Sequence, residues 1–161
     1  MPLLNDVTRT VVFRLEQQRY ALMLAAVERI VRAVAVTPLA QAPAIVLGIV
    51  DVKGDILPVL DIRARVGLPH REIASTHQFL IARTVQRRVI LPIDEVEGMV
   101  ERSSAEIADI AGIAPGMGQI AGVIKLEDGL ALIYDLDRFL SRDEAVVLDR
   151  ALEDVTQGGG A

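Results

Sequence analysis

The chain has 161 residues and a formal net charge of −5, from 17 basic and 22 acidic side chains. This length suits one domain, or two small subdomains that share a core, and is too short for two ordinary enzyme domains. The acidic balance and the small number of aromatic residues argue against a nucleic-acid interface, and the absence of cysteine excludes disulfides and thiolate-bound metals.

Alternating apolar residues predict mainly β structure in the first half of the chain. The expected strands are at residues 7–15, 20–24, 30–36, 48–52 and 56–60. A short helical turn over 25–29 is expected before the third strand. Lys53-Gly54-Asp55 predicts a tight turn, because Gly54 tolerates the positive φ that such a turn requires. Asp61 is predicted to cap a short helix over 62–66.

The second half shows a similar pattern. Strands are expected at residues 77–85, 88–93, 96–101, 119–126 and 130–134. The glycine-rich stretch from Gly112 to Gly118 predicts a loop. Ser103 and Asp135 are predicted to begin short helices, and Ser141 a last helix over about 142–155, followed by a frayed tail at 156–161.

An internal duplication is visible at an offset of 74 residues. Residues 48–61 match residues 122–135, and both segments place a glycine, a hairpin turn, an apolar run and a final aspartate at the same spacing. Since neither half buries much surface alone, we interpret the chain as two similar subdomains that share an interface. Their expected bounds are about 7–68 and about 76–140, within a single domain over 1–161.

The residues that could carry chemistry are few. His70 and His77 are seven residues apart on an expected loop, without the spacing of a helical metal site, and are predicted to be surface histidines. Asp94, Glu95 and Glu97 lie between two strands and are predicted to form a turn and solvated surface. No catalytic, metal or cofactor site is therefore expected, although an enzyme that uses Asp94 and a small-molecule-binding β-barrel stay open as alternatives.

Residues 48–63, GIVDVKGDILPVLDIR, resemble the hallmark of the CheW-like domain family: a glycine, an apolar run, a basic residue followed by glycine, and an apolar-Pro-apolar run that ends in aspartate. The likeness extends to 20–24, to Thr37-Pro38, to 93–96 and to 135–140. It implies a mainly β fold of two five-stranded SH3-like β-barrel subdomains with short helices and a C-terminal helix.

The resemblance also implies a function. Members of this family are non-catalytic adaptors that couple chemoreceptors to a CheA-type histidine kinase. The implied partners are the cytoplasmic tip of methyl-accepting chemoreceptors and the regulatory domain of the kinase, in the cytoplasm, with recruitment to membrane receptor arrays. No nucleic acid or cofactor is expected. Membrane insertion is not expected either, because the longest apolar run has nine residues and contains Pro43 and Gly48. An adaptor for a divergent, non-flagellar kinase pathway is the alternative.

The resemblance assigns partner binding to the following positions: Arg29, Gly48, Val50, Asp51, Lys53 and Gly54. Three of them depart from the family pattern, since Lys53 replaces the usual arginine, Arg29 replaces a frequent glutamate, and Asp51 stands where many members have asparagine. Lysine keeps the charge but lacks the planar fork that binds carboxylates in two places. These departures motivate the alternative pathway. Gly48 and Gly54 also have a purely structural interpretation, as positions that backbone geometry requires. A second partner surface is expected on the other subdomain or in the groove between the two.

Overall fold

A computed structural model describes residues 6–108 and 119–158. The strands are β1 (Val7–Leu15), β2 (Gln18–Met23), β3 (Val27–Arg32), β4 (Val46–Val52), β5 (Asp55–Leu60), β6 (Gln78–Arg83), β7 (Arg88–Ile93), β8 (Glu95–Ser103), β9 (Ile120–Leu126) and β10 (Gly129–Tyr134). The α-helices are α1 (Ile62–Arg65) and α2 (Arg142–Gly158), and 3₁₀ helices cover Leu24–Ala26, Ser104–Glu106 and Leu136–Arg138.

Local sequence signals set several element ends. The side chain of Asp61 accepts a hydrogen bond from the N–H of Ala64, which confirms the predicted cap of α1. The caps predicted at Ser103 and Asp135 are confirmed in the same way. Helix α2 continues to Gly158, beyond the expected end at 155, and the expected loop at 112–118 lies outside the described residues.

The strands form two five-stranded, mainly antiparallel sheets, which confirms the mainly β fold. Sheet 1 has the order β8-β1-β2-β10-β9, and sheet 2 has the order β3-β6-β7-β5-β4. Sheet 2 is therefore built from the continuous segment 27–93, and sheet 1 from the chain on either side of it. Each sheet crosses the boundary between the expected subdomains 7–68 and 76–140, because the hairpins β1–β2 and β6–β7 pair with strands of the opposite half.

Each exchanged hairpin is joined to the other half of the chain by one parallel strand pair. Strand β2 lies beside β10, with Arg19 opposite Ala131, and β7 lies beside β5, with Ile90 opposite Val59. In both sheets the exchanged hairpin occupies the same place in the strand order. The two sheets are thus two copies of one arrangement, each of which borrows its central hairpin from the other half of the chain.

The duplicated segments have the same backbone irregularities. The pairing of β4 with β5 shifts register between Val46 and Gly48. The pairing of β9 with β10 shifts register between Ile120 and Gly122, which lie 74 residues after Val46 and Gly48. The N–H of Asp61 donates to Ile45 O at 2.8 Å, and that of Asp135 donates to Gln119 O at 2.6 Å. The structure therefore confirms the duplication at the level of individual hydrogen bonds.

Three apolar clusters stabilise the fold. The shared core lies between the sheets and includes Phe13, Leu22, Leu80 and Leu91 from the strands and Leu148 from α2. A second cluster lies within sheet 2, around Val50, Leu57, Val59, Phe79, Ile81 and Ile90, and a third within sheet 1, around Val12, Ala21, Ile124, Ala131 and Ile133. Both faces of the central strands are therefore buried. No helix in the described ranges is long and apolar enough to cross a membrane.

The two edge strands of each sheet are linked by one short bridge. After β3, Thr37 exchanges hydrogen bonds of 3.0 and 2.7 Å with Ile49 of β4. After β8, Ala108 exchanges hydrogen bonds of 3.1 and 2.9 Å with Val123 of β9. Pairing in the described residues goes no further at these places, so closure into complete SH3-like barrels stays a prediction.

Glycine is required for this close approach. A Cβ atom on Gly48 would lie 2.3 Å from the carbonyl oxygen of Thr37, far inside van der Waals contact. At the equivalent Gly122, a Cβ atom would lie 2.8 Å from Cγ2 of Ile107 and 3.1 Å from the carbonyl oxygen of Ala108. The obstruction is backbone in the first case and mainly a movable side chain in the second.

We expect Gly48→Ala to lower the free energy of unfolding by about 3 kcal/mol, because the backbone of Thr37 has to move away from β4. Gly122→Ala is expected to cost less, since the side chain of Ile107 can shift. The measurement is urea denaturation of the purified chain.

Gly67→Ala is the matched control, since Gly67 has φ +82° and no atom within 4 Å of a built Cβ. It isolates the conformational cost of a positive φ, about 1 kcal/mol. Equal losses in Gly48→Ala and Gly67→Ala would contradict the steric explanation.

Candidate functional site

The predicted partner surface lies at one end of sheet 2. Arg29 is exposed on the edge strand β3, and Lys53 and Gly54 are exposed at the tip of the β4–β5 hairpin. Lys53 has φ +52° and Gly54 φ +93°, as a two-residue turn with two left-handed positions requires. The carboxylate of Asp51 accepts a hydrogen bond from the Gly54 N–H at 2.7 Å. Asp51 therefore stabilises the turn that presents Lys53.

Two of the predicted contact residues lie inside the fold. Val50 is only 9% exposed and packs in the cluster within sheet 2. Gly48 is buried against Thr37, where its lack of a side chain permits the bridge between the edge strands. Burial removes both from the exposed part of the predicted surface. Val52, two residues further along β4, is half-buried against the same cluster.

An ionic cluster holds Arg29 and the hairpin tip at the same end of the sheet. Arg88 on β7 donates from Nε to Glu28 at 2.9 Å and from Nη1 to Asp55 at 2.9 Å. Arg83 adds a 3.2 Å hydrogen bond to Glu28. Glu28 precedes Arg29, and Asp55 follows Gly54, so the cluster ties the start of β3 to the turn. The hydrogen bond from Arg88 keeps the pKa of Glu28 below its ordinary value, although burial acts to raise it.

A second surface is an apolar groove of about 730 Å³ between the two sheets. Its rim includes Met23, which is 45% exposed, and Val85, which is 86% exposed. The groove is lined by Leu22, Met23, Ala25, Ala26, Arg83, Thr84, Val85, Ala121, Ile133, Tyr134, Asp135, Leu136 and Asp137. The N–H of Val85 donates to Asp137 Oδ1 at 2.8 Å, which fixes the β6–β7 turn against sheet 1. Each sheet therefore contributes one wall of the groove, and this hydrogen bond holds the two walls together.

A buried ion pair also joins the two sheets. Arg63 of α1 is 7% exposed and donates to Glu16 at 2.7 Å and to Asp94. The second oxygen of Asp94 accepts the N–H of Glu16 at 2.8 Å. Burial acts to raise the pKa of Asp94, but the hydrogen bonds from Glu16 and Arg63 outweigh it, so that the pKa lies below its usual value.

The structure corrects the prediction that Asp94 and His77 are solvated. The side chain of Asp94 is 10% exposed and that of His77 is 12% exposed, with Nε2 of His77 3.8 Å from Asp94. Nδ1 of His77 also accepts the Ala74 N–H at 3.0 Å. Because both oxygens of Asp94 have partners within the protein, its role is structural. An arginine directly after Ile62 in an apolar stretch was the signal in the sequence for a buried counter-ion.

The other predicted surface residues are exposed, but Glu95 and Glu97 lie on strand β8 and not in the predicted turn. Glu95 forms a 3.0 Å ion pair with Arg14, and Glu97 a 2.9 Å ion pair with Arg19. The side chain of His70 is 64% exposed.

Comparison with known proteins gives consistent matches over most of the chain. A model of the CheW-like domain matches residues 9–144. The chemotaxis protein CheW of Rhizobium meliloti (strain 1021) is 28% identical over 144 residues, covering 88% of this chain and 93% of the relative. That of Treponema pallidum (strain Nichols) is 24% identical over 140 residues, covering 83% and 82%. The crystal structure of the scaffolding protein TtCheW from Thermoanaerobacter tengcongensis has the same fold, with a TM-score of 0.77, 22% identity and coverage of 85% and 94%.

We expect Asp94→Asn to lower the free energy of unfolding by about 3 kcal/mol at pH 7, because it weakens the pairing of the buried Arg63. In the wild type, the lowered pKa of Asp94 provides stability that is present above about pH 4 and lost as the pH falls through the native pKa. Asparagine does not titrate, so the variant should lose less stability between pH 5 and pH 3. Urea denaturation at both pH values measures this.

Glu95→Gln is the matched control, since it removes the neighbouring carboxylate from an exposed pair with Arg14. Its expected cost is below about 1 kcal/mol. An Asp94→Asn protein that loses as much stability in acid as the wild type would contradict the role given to this carboxylate.

Proposed function

Because the chain belongs to the CheW-like domain family, we propose that it is a non-catalytic adaptor of chemotaxis signal transduction that couples chemoreceptors to a CheA-type histidine kinase. The relatives at 28% and 24% identity are named chemotaxis protein CheW. The observation that carries the proposal is the family match over residues 9–144, combined with two separate exposed surfaces on sheets that share one core. In this role the protein acts in the cytoplasm and is recruited to receptor arrays at the membrane.

The end of sheet 2 is the proposed contact for the regulatory domain of the kinase. Arg29, Asp51, Lys53 and Gly54 are exposed there on a hairpin and an edge strand, held by the cluster around Arg88. A rigid backbone of this kind presents charges in fixed positions, which favours selection among partners.

The groove between the sheets is the proposed contact for the cytoplasmic tip of the receptor, a helical hairpin. An amphipathic helix can lay its apolar face into a groove of this kind, with anchors spaced three or four residues apart. Met23 and Val85 at the rim supply exposed apolar surface, and Arg83 and Asp137 supply charges beside it.

Rigid geometry is the proposed mechanism of coupling. A typical stable interface buries about 800 Å² on each partner. Two such interfaces would occupy about a sixth of the 9649 Å² surface of the chain, so both partners can bind at once. The shared core and the Arg63 ion pair keep the two surfaces at a constant separation and angle. Each partner therefore raises the local concentration of the other without a change of shape.

A divergent, non-flagellar kinase pathway is the second proposal. It is favoured by the positive charge of Arg29 where relatives frequently have a glutamate, and by Lys53 in place of arginine. The two proposals predict different kinases in complexes that are purified from native cells with the tagged chain.

Binding titration tests the main proposal. The full chain is titrated with a receptor tip hairpin and, separately, with the regulatory domain of a CheA-type kinase from the same cells. Binding to both at micromolar concentration is expected. Absence of binding to either partner at tens of micromolar would reject the assignment, and capture of a different kinase would favour the second proposal.

We expect Val85→Asp to weaken binding of the receptor tip by about tenfold or more, because it places a charge at the apolar rim of the groove. Binding of the kinase regulatory domain should stay within twofold of wild type, since that surface is elsewhere. Fluorescence anisotropy with each labelled partner measures both affinities.

Val7→Asp is the matched control, since Val7 is 50% exposed and lies outside the groove lining. It should leave both affinities unchanged. If Val85→Asp binds the receptor tip as tightly as Val7→Asp, the groove is not the receptor surface.

A further inference from the structure

Two exposed cations at the end of sheet 2 have no partner among the described residues. From Arg29 and Lys53 we infer that this end of sheet 2 binds an acidic segment of its protein partner, with a carboxylate of the partner at each cation. The inference deepens the proposed function and rests on it, because it names the chemistry of the surface that the kinase partner presents here.

The local carboxylates are already engaged within the chain. Glu28 accepts hydrogen bonds from Arg83 and Arg88, and Asp55 accepts one from Arg88. Asp51 accepts the N–H of Gly54. Neither Arg29 nor Lys53 forms an ion pair with any residue of the described ranges, and both are exposed. Two full positive charges therefore face solvent at one end of a chain whose net charge is −5.

The backbone at Lys53 supports a role for its side chain. Lys53 has φ +52°, a left-handed conformation that glycine, asparagine and aspartate adopt more readily than lysine. A residue that works against its local conformational preference is frequently one that function retains.

Glu16 offers a comparison within the same chain. It has φ +56°, and its carboxylate binds the buried Arg63 at 2.7 Å, so its strained position serves the ion pair between the sheets. Lys53 has no such internal partner among the described residues. Its side chain is instead held at the tip of a short turn, where a docking protein would meet it.

The partner chemistry follows from the charges. Carboxylates of aspartate or glutamate attract both cations, and a basic partner is repelled by both. Contacts of this kind increase the association rate and weaken with ionic strength, since the screening length falls from about 10 Å at 0.1 M salt to about 3 Å at 1 M.

Arg32 provides a matched control on the same strand. It is exposed and has no ion-pair partner among the described residues, but it lies three positions beyond Arg29 and therefore on the other face of β3. Arg29→Glu and Arg32→Glu change the net charge equally. Only the first is expected to affect the docking surface.

The experiment measures the affinity of the full chain for the regulatory domain of the CheA-type kinase at 50 and 300 mM NaCl. Arg29→Glu should weaken binding by about tenfold at low salt, and Arg32→Glu by less than twofold. Lys53→Asn should also weaken binding, by about threefold, while its melting temperature stays equal to that of the wild type or rises. The loss of affinity in the variants should shrink at high salt.

Lys53→Asn is therefore expected to lose affinity without losing stability, which a purely structural role of the lysine would not produce. The inference is overturned if wild type binds the kinase domain but Arg29→Glu and Lys53→Asn bind equally well, or if Arg32→Glu loses as much affinity as Arg29→Glu. In those cases the proposed function stands. If the wild type binds neither the kinase domain nor the receptor tip, the proposed function fails and the inference with it.

Discussion

The buried guanidinium of Arg63 is the interaction on which the arrangement of the two sheets depends. Arg63 follows β5 of sheet 2, while Glu16 lies in the β1–β2 turn of sheet 1, and Asp94 lies where the chain passes from β7 to β8. One side chain thus connects both sheets and the crossover between them. An adaptor that works by geometry needs such a connection, because any rotation of one sheet against the other would change the relation between its partner surfaces.

The second copy of the duplicated segment solves the same problem with different chemistry. Asp137 stands 74 residues after Arg63, and its carboxylate accepts the N–H of Val85 in the β6–β7 turn. In each copy, therefore, the residue two positions after the capping aspartate holds the turn of the hairpin that the other sheet contains. The first copy uses a buried charge pair and the second a hydrogen bond at the edge of the groove, so the molecule has two related but unequal ends.

Short-range features of the fold could be predicted from the sequence, and long-range ones could not. The bounds of β1 and β7 and the caps at Asp61, Ser103 and Asp135 follow from residues within four positions of one another. The exchange of hairpins depends on the pairing of β2 with β10, which alternation of apolar residues does not specify. Arg29 and Lys53 could be located from a motif, but the burial of Gly48, Val50 and Asp94 became evident only when their distant neighbours were in place.

The parallel pairing of Arg19 with Ala131 also has a consequence for the order of folding. The two residues are 131 − 19 = 112 positions apart, and the loop that this contact closes contains the whole of sheet 2. Closing so long a loop is slow and entropically unfavourable unless the intervening chain is already compact. Sheet 2 is formed by one uninterrupted segment and is therefore expected to fold first during synthesis on the ribosome. The β1–β2 hairpin has no partner strands in sheet 1 until β8, β9 and β10 emerge.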